Sequence, residues 1–204
     1  MGFLNFNSPK LREIKEKIPR PIREAVKSNI LVRGRAGKMM DKPFMQEEDI
    51  NMVSKVLEAF KPKNCLEWGS GGSTIYFPQK HSFIEKWVSI ESNPNWYKEV
   101  LKKKPEKVDM KLMRGDDYAF GILKDKTGFD FILIDGMERE RCMCIASLLL
   151  RDKGICILHD TWRKNYQTYF PVFKYWKKLT EGSLKSENGL CIFTNESREK
   201  LDII

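Results

Sequence analysis

The chain has 204 residues, 41% of them apolar and 11% aromatic, enough for one domain with a proper core and too apolar for a disordered chain. No apolar run approaches the ~20 residues of a membrane span, and the N-terminus lacks a basic start followed by a long apolar stretch, so a cytoplasmic protein is expected. The net charge of +9 is unevenly spread: residues 1–42 hold eleven basic and four acidic residues, which leaves the rest of the chain close to neutral.

Taken in order, residues 1–43 read as a basic N-terminal extension and 44–204 as the main domain. Leu11, Ile14, Ile18, Ile22 and Val26 have helical spacing, broken by Pro19 and Pro21, so two short amphipathic helices are expected there. Their charge suits an anionic partner, which could be a membrane surface, a phosphorylated substrate or nucleic acid, or else a solvated basic face packed against the core. No aromatic interleaving or nucleic-acid motif accompanies it, and nucleic acid is not expected as a partner. The five cysteines (65, 142, 144, 156 and 191) lie mostly in apolar runs without zinc or redox spacing, as buried reduced thiols would.

A helix is expected over Gln46–Phe60, with Ile50, Val53, Val56, Leu57 and Phe60 on one face and Glu47, Glu48 and Asp49 in the first turn, where the helix dipole favours acids. Next comes the stretch Cys65-Leu66-Glu67-Trp68-Gly69-Ser70-Gly71-Gly72-Ser73-Thr74, an apolar strand running into a glycine- and hydroxyl-rich loop and then a helix. Glycines let a ligand approach the backbone, and the helix start offers unpaired N–H groups. A dinucleotide loop would have a third glycine where Thr74 stands, and a carboxylate at Glu67 would repel a pyrophosphate. A ligand with a positive charge and no phosphate, such as S-adenosylmethionine, fits better. The contacts expected for it are Glu67, Gly69, Ser70, Gly71, Gly72 and Ser73.

The second strand, Trp87–Glu91, ends in an acid 22 residues beyond Gly69, where a βαβ nucleoside site places a carboxylate on the ribose hydroxyls. A helix over Asn95–Lys104 and a strand over Val108–Met113 follow, closed by a turn whose Asp116 could accept from an adenine amino group. Phe129–Ile134 reads as a fully buried strand ending at Asp135, Cys142–Leu150 as a buried helix, and Gly154–His159 as a strand ending at His159-Asp160. Asn165–Lys178 reads as an aromatic-rich helix, and Leu179–Ser186 with Leu190–Thr194 as an antiparallel hairpin. Strands and helices alternate, which predicts an α/β fold: a doubly wound, mostly parallel sheet with a C-terminal antiparallel hairpin and an N-terminal basic helical extension. Its ligand would lie at the carboxyl ends of the strands.

This pattern resembles the class I S-adenosylmethionine-dependent methyltransferases, with their Rossmann-like fold, over about residues 44–194. Glu67-x-Gly69-x-Gly71-Gly72 is similar to their glycine-rich motif, Glu91 to their ribose-binding acid, and Asp116 to the position near adenine. With Val88-Ser89-Ile90-Glu91 and Trp96-Tyr97, the loop resembles a microbial subgroup in which an Asp-Gly-x-x-Arg segment (here Asp135–Arg139) and a His-Asp segment (here His159-Asp160) recur. The resemblance implies methyl transfer, foremost O-methylation, to a small molecule or glycan. Asp135 or His159 would be the base, Asp160 would orient His159 or the substrate, and Asp135 would also contact the cofactor. Arg139, Arg163 and Tyr166 could clamp an anionic acceptor. Asp135 and Asp160 could together suit Mg²⁺ as in catechol-type O-methyltransferases, but Thr161 stands where that family has an Asn ligand, and no divalent metal is expected. The alternatives are an NAD-dependent oxidoreductase and a non-catalytic cofactor-binding module acting through its basic extension.

Overall fold

In the structure, a computed structural model, the carboxyl ends of four parallel strands converge on one crevice. Residues 42–125, 127–182 and 188–204 are described; the two helices expected before Pro21 and after it lie outside them. The described residues form one compact unit.

Helix α1 (Glu47–Phe60) buries Ile50, Val53, Val56 and Leu57 and ends where Lys61 turns into the left-handed region ahead of Pro62, which cannot continue a helix. Then come β1 (Asn64–Trp68), α2 (Gly72–Lys80), β2 (Lys86–Glu91), α3 (Pro94–Leu101) and β3 (Val108–Leu112). A short α4 (Asp117–Phe120) runs on as a 3₁₀ turn, and β4 (Phe129–Ile134), α5 (Arg139–Leu149) and β5 (Leu150–His159) follow. The chain closes through α6 (Lys164–Gln167), β6 (Tyr175–Lys178) and β7 (Leu190–Thr194). The seven strands lie in the order β3-β2-β1-β4-β5-β7-β6; β1 to β5 are parallel, and β7 is antiparallel to both its neighbours.

Strands β1, β2 and β4 are largely buried on both faces because helices cover both sides of a parallel sheet. Trp87 stacks on Phe77 from α2 at 6.3 Å and meets Phe131 of β4 at 5.9 Å, and each such buried aromatic is worth about 1.5–3 kcal/mol. The chain leaves β1 towards β2 and β3 on one side and returns through β4 and β5 on the other, so the ends of β1 and β4 flank the switch point where open sheets bind ligands.

One expected element is replaced. Residues 165–178 do not form one helix: α6 stops at Gln167, a 3₁₀ turn follows over Phe170–Val172, and Tyr175–Lys178 become a strand. Pro171 removes a backbone donor and forces the break, and pairing with β7 then takes the chain. The partner of β7 in the hairpin is therefore Tyr175–Lys178. The expected Leu179–Ser186 strand begins only as two backbone donations from Leu179 and Thr180 to Leu190, and residues 183–187 lie outside the described part. The buried helix begins earlier than expected, at Arg139, and Leu150 already belongs to β5, paired with Phe129.

Candidate active site

The glycine loop is built from underneath. Glu67, fully buried in β1, accepts from Ser73 Oγ (2.5 Å), Thr74 Oγ1 (2.6 Å), Ser89 Oγ (2.7 Å) and Trp87 Nε1 (3.0 Å). Burial pushes this carboxyl up from its usual range, opposed by the four donors. Thr74 Oγ1 in turn accepts the Gly71 N–H at 2.8 Å. The expectation that Glu67 faces a ligand is therefore not met, because its carboxylate lies beneath the loop and fastens it to β1 and β2. The same residues that read as a cofactor contact in sequence act here as a clasp.

Two glycines set the floor of the crevice. Gly69 has φ +97°, and a Cβ on it would fall 2.6 Å from the Gly136 Cα. A Cβ on Gly136 would strike the Tyr118 hydroxyl, which accepts the Met137 N–H at 3.1 Å. Loop and strand end thus touch backbone to backbone, and a side chain at either position would push them apart.

Above this floor lies a cavity of about 660 Å³. Gly69, Ser70, Gly71, Gly72 and Ser73 line one end with Glu91 and Trp96; Asp135, Gly136, Met137, Arg139, His159, Asp160 and Arg163 line the rest, with Phe44 and Gln46 ahead of α1. Glu91 is buried, which raises its pKa against the backbone N–H groups of Ser92 (2.8 Å) and Asn93 (2.6 Å) that bond its Oε1. The Trp96 indole donates to the Ser70 carbonyl at 2.5 Å and walls the loop.

At the other end a charged cluster closes the crevice. His159 Nδ1 lies 2.8 Å from Asp135 Oδ1 and 3.7 Å from Asp160 Oδ1. Arg139, buried at the start of α5, bridges the two carboxylates, its Nη2 lying 3.1 Å from Asp135 Oδ1 and 3.1 Å from Asp160 Oδ2. It also donates to the carbonyls of Gly136 and His159. Burial pulls the His159 pKa down, but the charge and hydrogen bonds of Asp135, Asp49 and Asp160 outweigh it and carry it up to about 10. With both ring nitrogens facing carboxylates the imidazolium is the favoured form, and it has no lone pair to take a proton, which leaves Asp135 the better placed of the two residues expected as base.

Of the residues expected to clamp an anionic acceptor, only Arg163 has a guanidinium partly exposed on the cavity. Arg139 spends its donors on the cluster. Tyr166 is buried, its hydroxyl accepts from Arg163 at 3.2 Å, and it does not line the cavity. Asp116 stands apart too, largely exposed and paired with Arg141 at 2.8 Å. Asp135, His159 and Asp160 bring ligand atoms within 4.8 Å of one another, as a metal site would, but the charge between the two aspartates is supplied by the Arg139 guanidinium. Tyr118 and Asp49 carry no site signal in sequence, the one looking like a core aromatic and the other like an ordinary first-turn acid, and Trp96 enters there only through the subgroup motif.

No protein-family profile and no curated protein matches the sequence. The structure does match solved ones. It is similar to the O-methyltransferase from Bacillus cereus, solved in complex with S-adenosylhomocysteine, with a TM-score of 0.64 at 16% identity over 86% of this chain and 91% of that one. It is similar as well to the N-methyltransferase NodS from Bradyrhizobium japonicum, also with S-adenosylhomocysteine, with a TM-score of 0.55 at 14% identity over 77% of this chain and 90% of that one. Spermidine synthase from Thermotoga maritima matches with a TM-score of 0.55 at 16% identity, over 74% of this chain and 61% of that one. The fold is the Rossmann-like fold of the class I methyltransferases, as the alternation of elements predicts. Spermidine synthase shares it, so the fold alone does not select the group transferred.

Proposed function

We propose that residues 44–204 form an S-adenosylmethionine-dependent methyltransferase acting on a hydroxyl of a small molecule or glycan. The observation that carries this is the single cavity joining a glycine loop and a strand-end carboxylate, Glu91, at one end to a carboxylate cluster at the other. Such a cavity suits a nucleoside ligand beside an acceptor that must lose a proton. The cofactor fits the residues present: the loop from Gly69 to Ser73 offers backbone, Gly71 has no Cβ facing Trp96, and Glu91 suits ribose hydroxyls. When bound, it supplies an electrophilic methyl group on a sulfonium centre.

The chain's own residues then have defined tasks. Glu91 and the loop hold the nucleoside, and Trp96 closes the loop's outer side. Asp135 would take the proton of the acceptor hydroxyl, and His159 and Arg139 keep its carboxylate aimed. Arg163 draws an anionic acceptor group towards the open end. Removing it in Arg163→Ala is expected to raise the acceptor KM about tenfold with kcat little changed, as steady-state kinetics would register. An equal fall in kcat would assign Arg163 to the reaction itself.

A nicotinamide dinucleotide is the rival ligand, and one observation counts against it. The Gly71 N–H, a donor a pyrophosphate would need, is already given to Thr74. The deciding experiment is calorimetric titration of the full chain with S-adenosylmethionine, S-adenosylhomocysteine and NAD. The first two should bind in the micromolar range and lose at least tenfold in Glu91→Ala. Binding of NAD in their place would overturn the reading. The basic segment over residues 1–43 we propose as an extension that contacts an anionic membrane surface, which co-sedimentation with anionic vesicles before and after its removal would test.

A further inference from the structure

The acids in the first turn of α1 do not behave alike. Glu47 and Glu48 are exposed, as acids favoured by the helix dipole usually are, whereas Asp49 is completely buried. Its carboxylate faces away from solvent towards the back of the charged cluster. Oδ1 accepts from Thr180 Oγ1 at 2.5 Å, and Oδ2 lies 3.4 Å from His159 Nε2. The contact falls short of hydrogen-bond geometry, and neither Oδ2 nor Nε2 has a hydrogen-bond partner among the described residues, so what joins them is an ion pair. A buried carboxylate needs a positive partner, and His159 is the cation within reach.

We infer that Asp49 is a positioning residue of this site: from behind the cavity it holds the His159 ring so that the ring is bonded through Nδ1 to Asp135 and cannot itself accept the substrate proton.

The reason lies in counting protons on the ring. Both nitrogens of His159 face carboxylates, Nδ1 towards Asp135 and Nε2 towards Asp49. A neutral imidazole carries one N–H, so either tautomer would set a lone pair against one of the two acids. Only the imidazolium satisfies both. The other charges around the ring are Asp160, 3.7 Å from Nδ1, and the guanidiniums of Arg139 and Arg163, both engaged with Asp160. Without Asp49 the ring would lose one of the two acids that favour its doubly protonated form and the contact that fixes it from behind, while Asp135 would still hold the Nδ1 proton. The bond from Thr180, and that from the Gly189 backbone, in turn hold the Asp49 carboxylate in place.

The consequence for the proton step rests on the methyl-transfer reading, whereas the state of the ring does not, so the test begins with the ring. The chain has only two histidines, and His81, which burial pulls below the ordinary range, gives a second signal well apart. In the full-length ¹⁵N-histidine-labelled protein, the His159 ring should stay doubly protonated from neutral pH until about pH 10. In Asp49→Asn its midpoint should fall by about one unit or more. With the acceptor assay in hand, Asp49→Asn should also lower kcat about tenfold, with affinity for S-adenosylmethionine unchanged. Should Asp49→Asn fail to fold, Thr180→Val, which loosens the same carboxylate, should move the midpoint in the same direction. A neutral His159 ring at neutral pH in the wild type, or a midpoint unmoved in the folded variant, would overturn the inference whatever the protein transfers.

Discussion

Asp135→Asn is expected to lower kcat for methyl transfer by about 10²–10⁴-fold, with little effect on S-adenosylmethionine affinity. Asparagine has nearly the shape of aspartate and can still accept from His159, so the cluster should stay assembled and the cavity open. What it removes is the carboxylate that can take a proton. The ring beside it carries its proton already, and Arg139, at 3.1 Å, can only donate, so neither neighbour can act in its place. Initial rates measured across pH with saturating cofactor check this. Activity equal to wild type would mean that the acceptor needs no base from this carboxylate, as an amine that arrives neutral would not. Asp160→Asn, by contrast, alters a group whose Oδ2 is shared by two arginines, so it tests orientation more than proton transfer.

The second large effect concerns stability. Glu67→Ala should cost about 3–4 kcal/mol, or roughly 10 °C in Tm, because it strips four buried donors of their common acceptor at once. Glu67→Gln should fall between, since its amide NH₂ replaces one of two accepting oxygens. The other carboxylate oxygen, Oε1, accepts from Ser73, whereas Oε2 accepts from Thr74, Trp87 and Ser89, so either placement of the amide leaves part of the net unmade. Urea unfolding followed by the fluorescence of the buried Trp68 and Trp87 would read both variants. If stability held while cofactor binding vanished, Glu67 would face the ligand after all, as the repulsion argument from the sequence supposed.

That contrast shows where sequence reasoning reaches. Strand β1 is buried on both faces, so no polar face marks which way a side chain points. A carboxylate next to a glycine loop is therefore visible as chemistry but not as direction. Ser73, Thr74, Trp87 and Ser89 turn it inward, and they converge on it only once β1, α2 and β2 have packed. The region from Asn165 to Lys178 is a different case. Its aromatic residues fit a helix as well as a strand, and Pro171 was the signal that the helix must stop. What the chain does next is decided by the open edge of β7.

The sequence by itself determined the alternation of strands and helices, the glycine loop between β1 and α2, the acid at Glu91 and the polar ends of β4 and β5. These follow from local patterns: hydrophobic period, glycine clusters, and the spacing between a loop and the next strand end. Only the tertiary structure decided which charges meet. Asp49 and Thr180 are 131 residues apart yet share a hydrogen bond, and Arg139 is taken from its expected substrate by two aspartates and three carbonyls at neighbouring strand ends. A charge is legible in a sequence, but its partner is not, because pairing depends on distances of a few ångströms that packing alone sets.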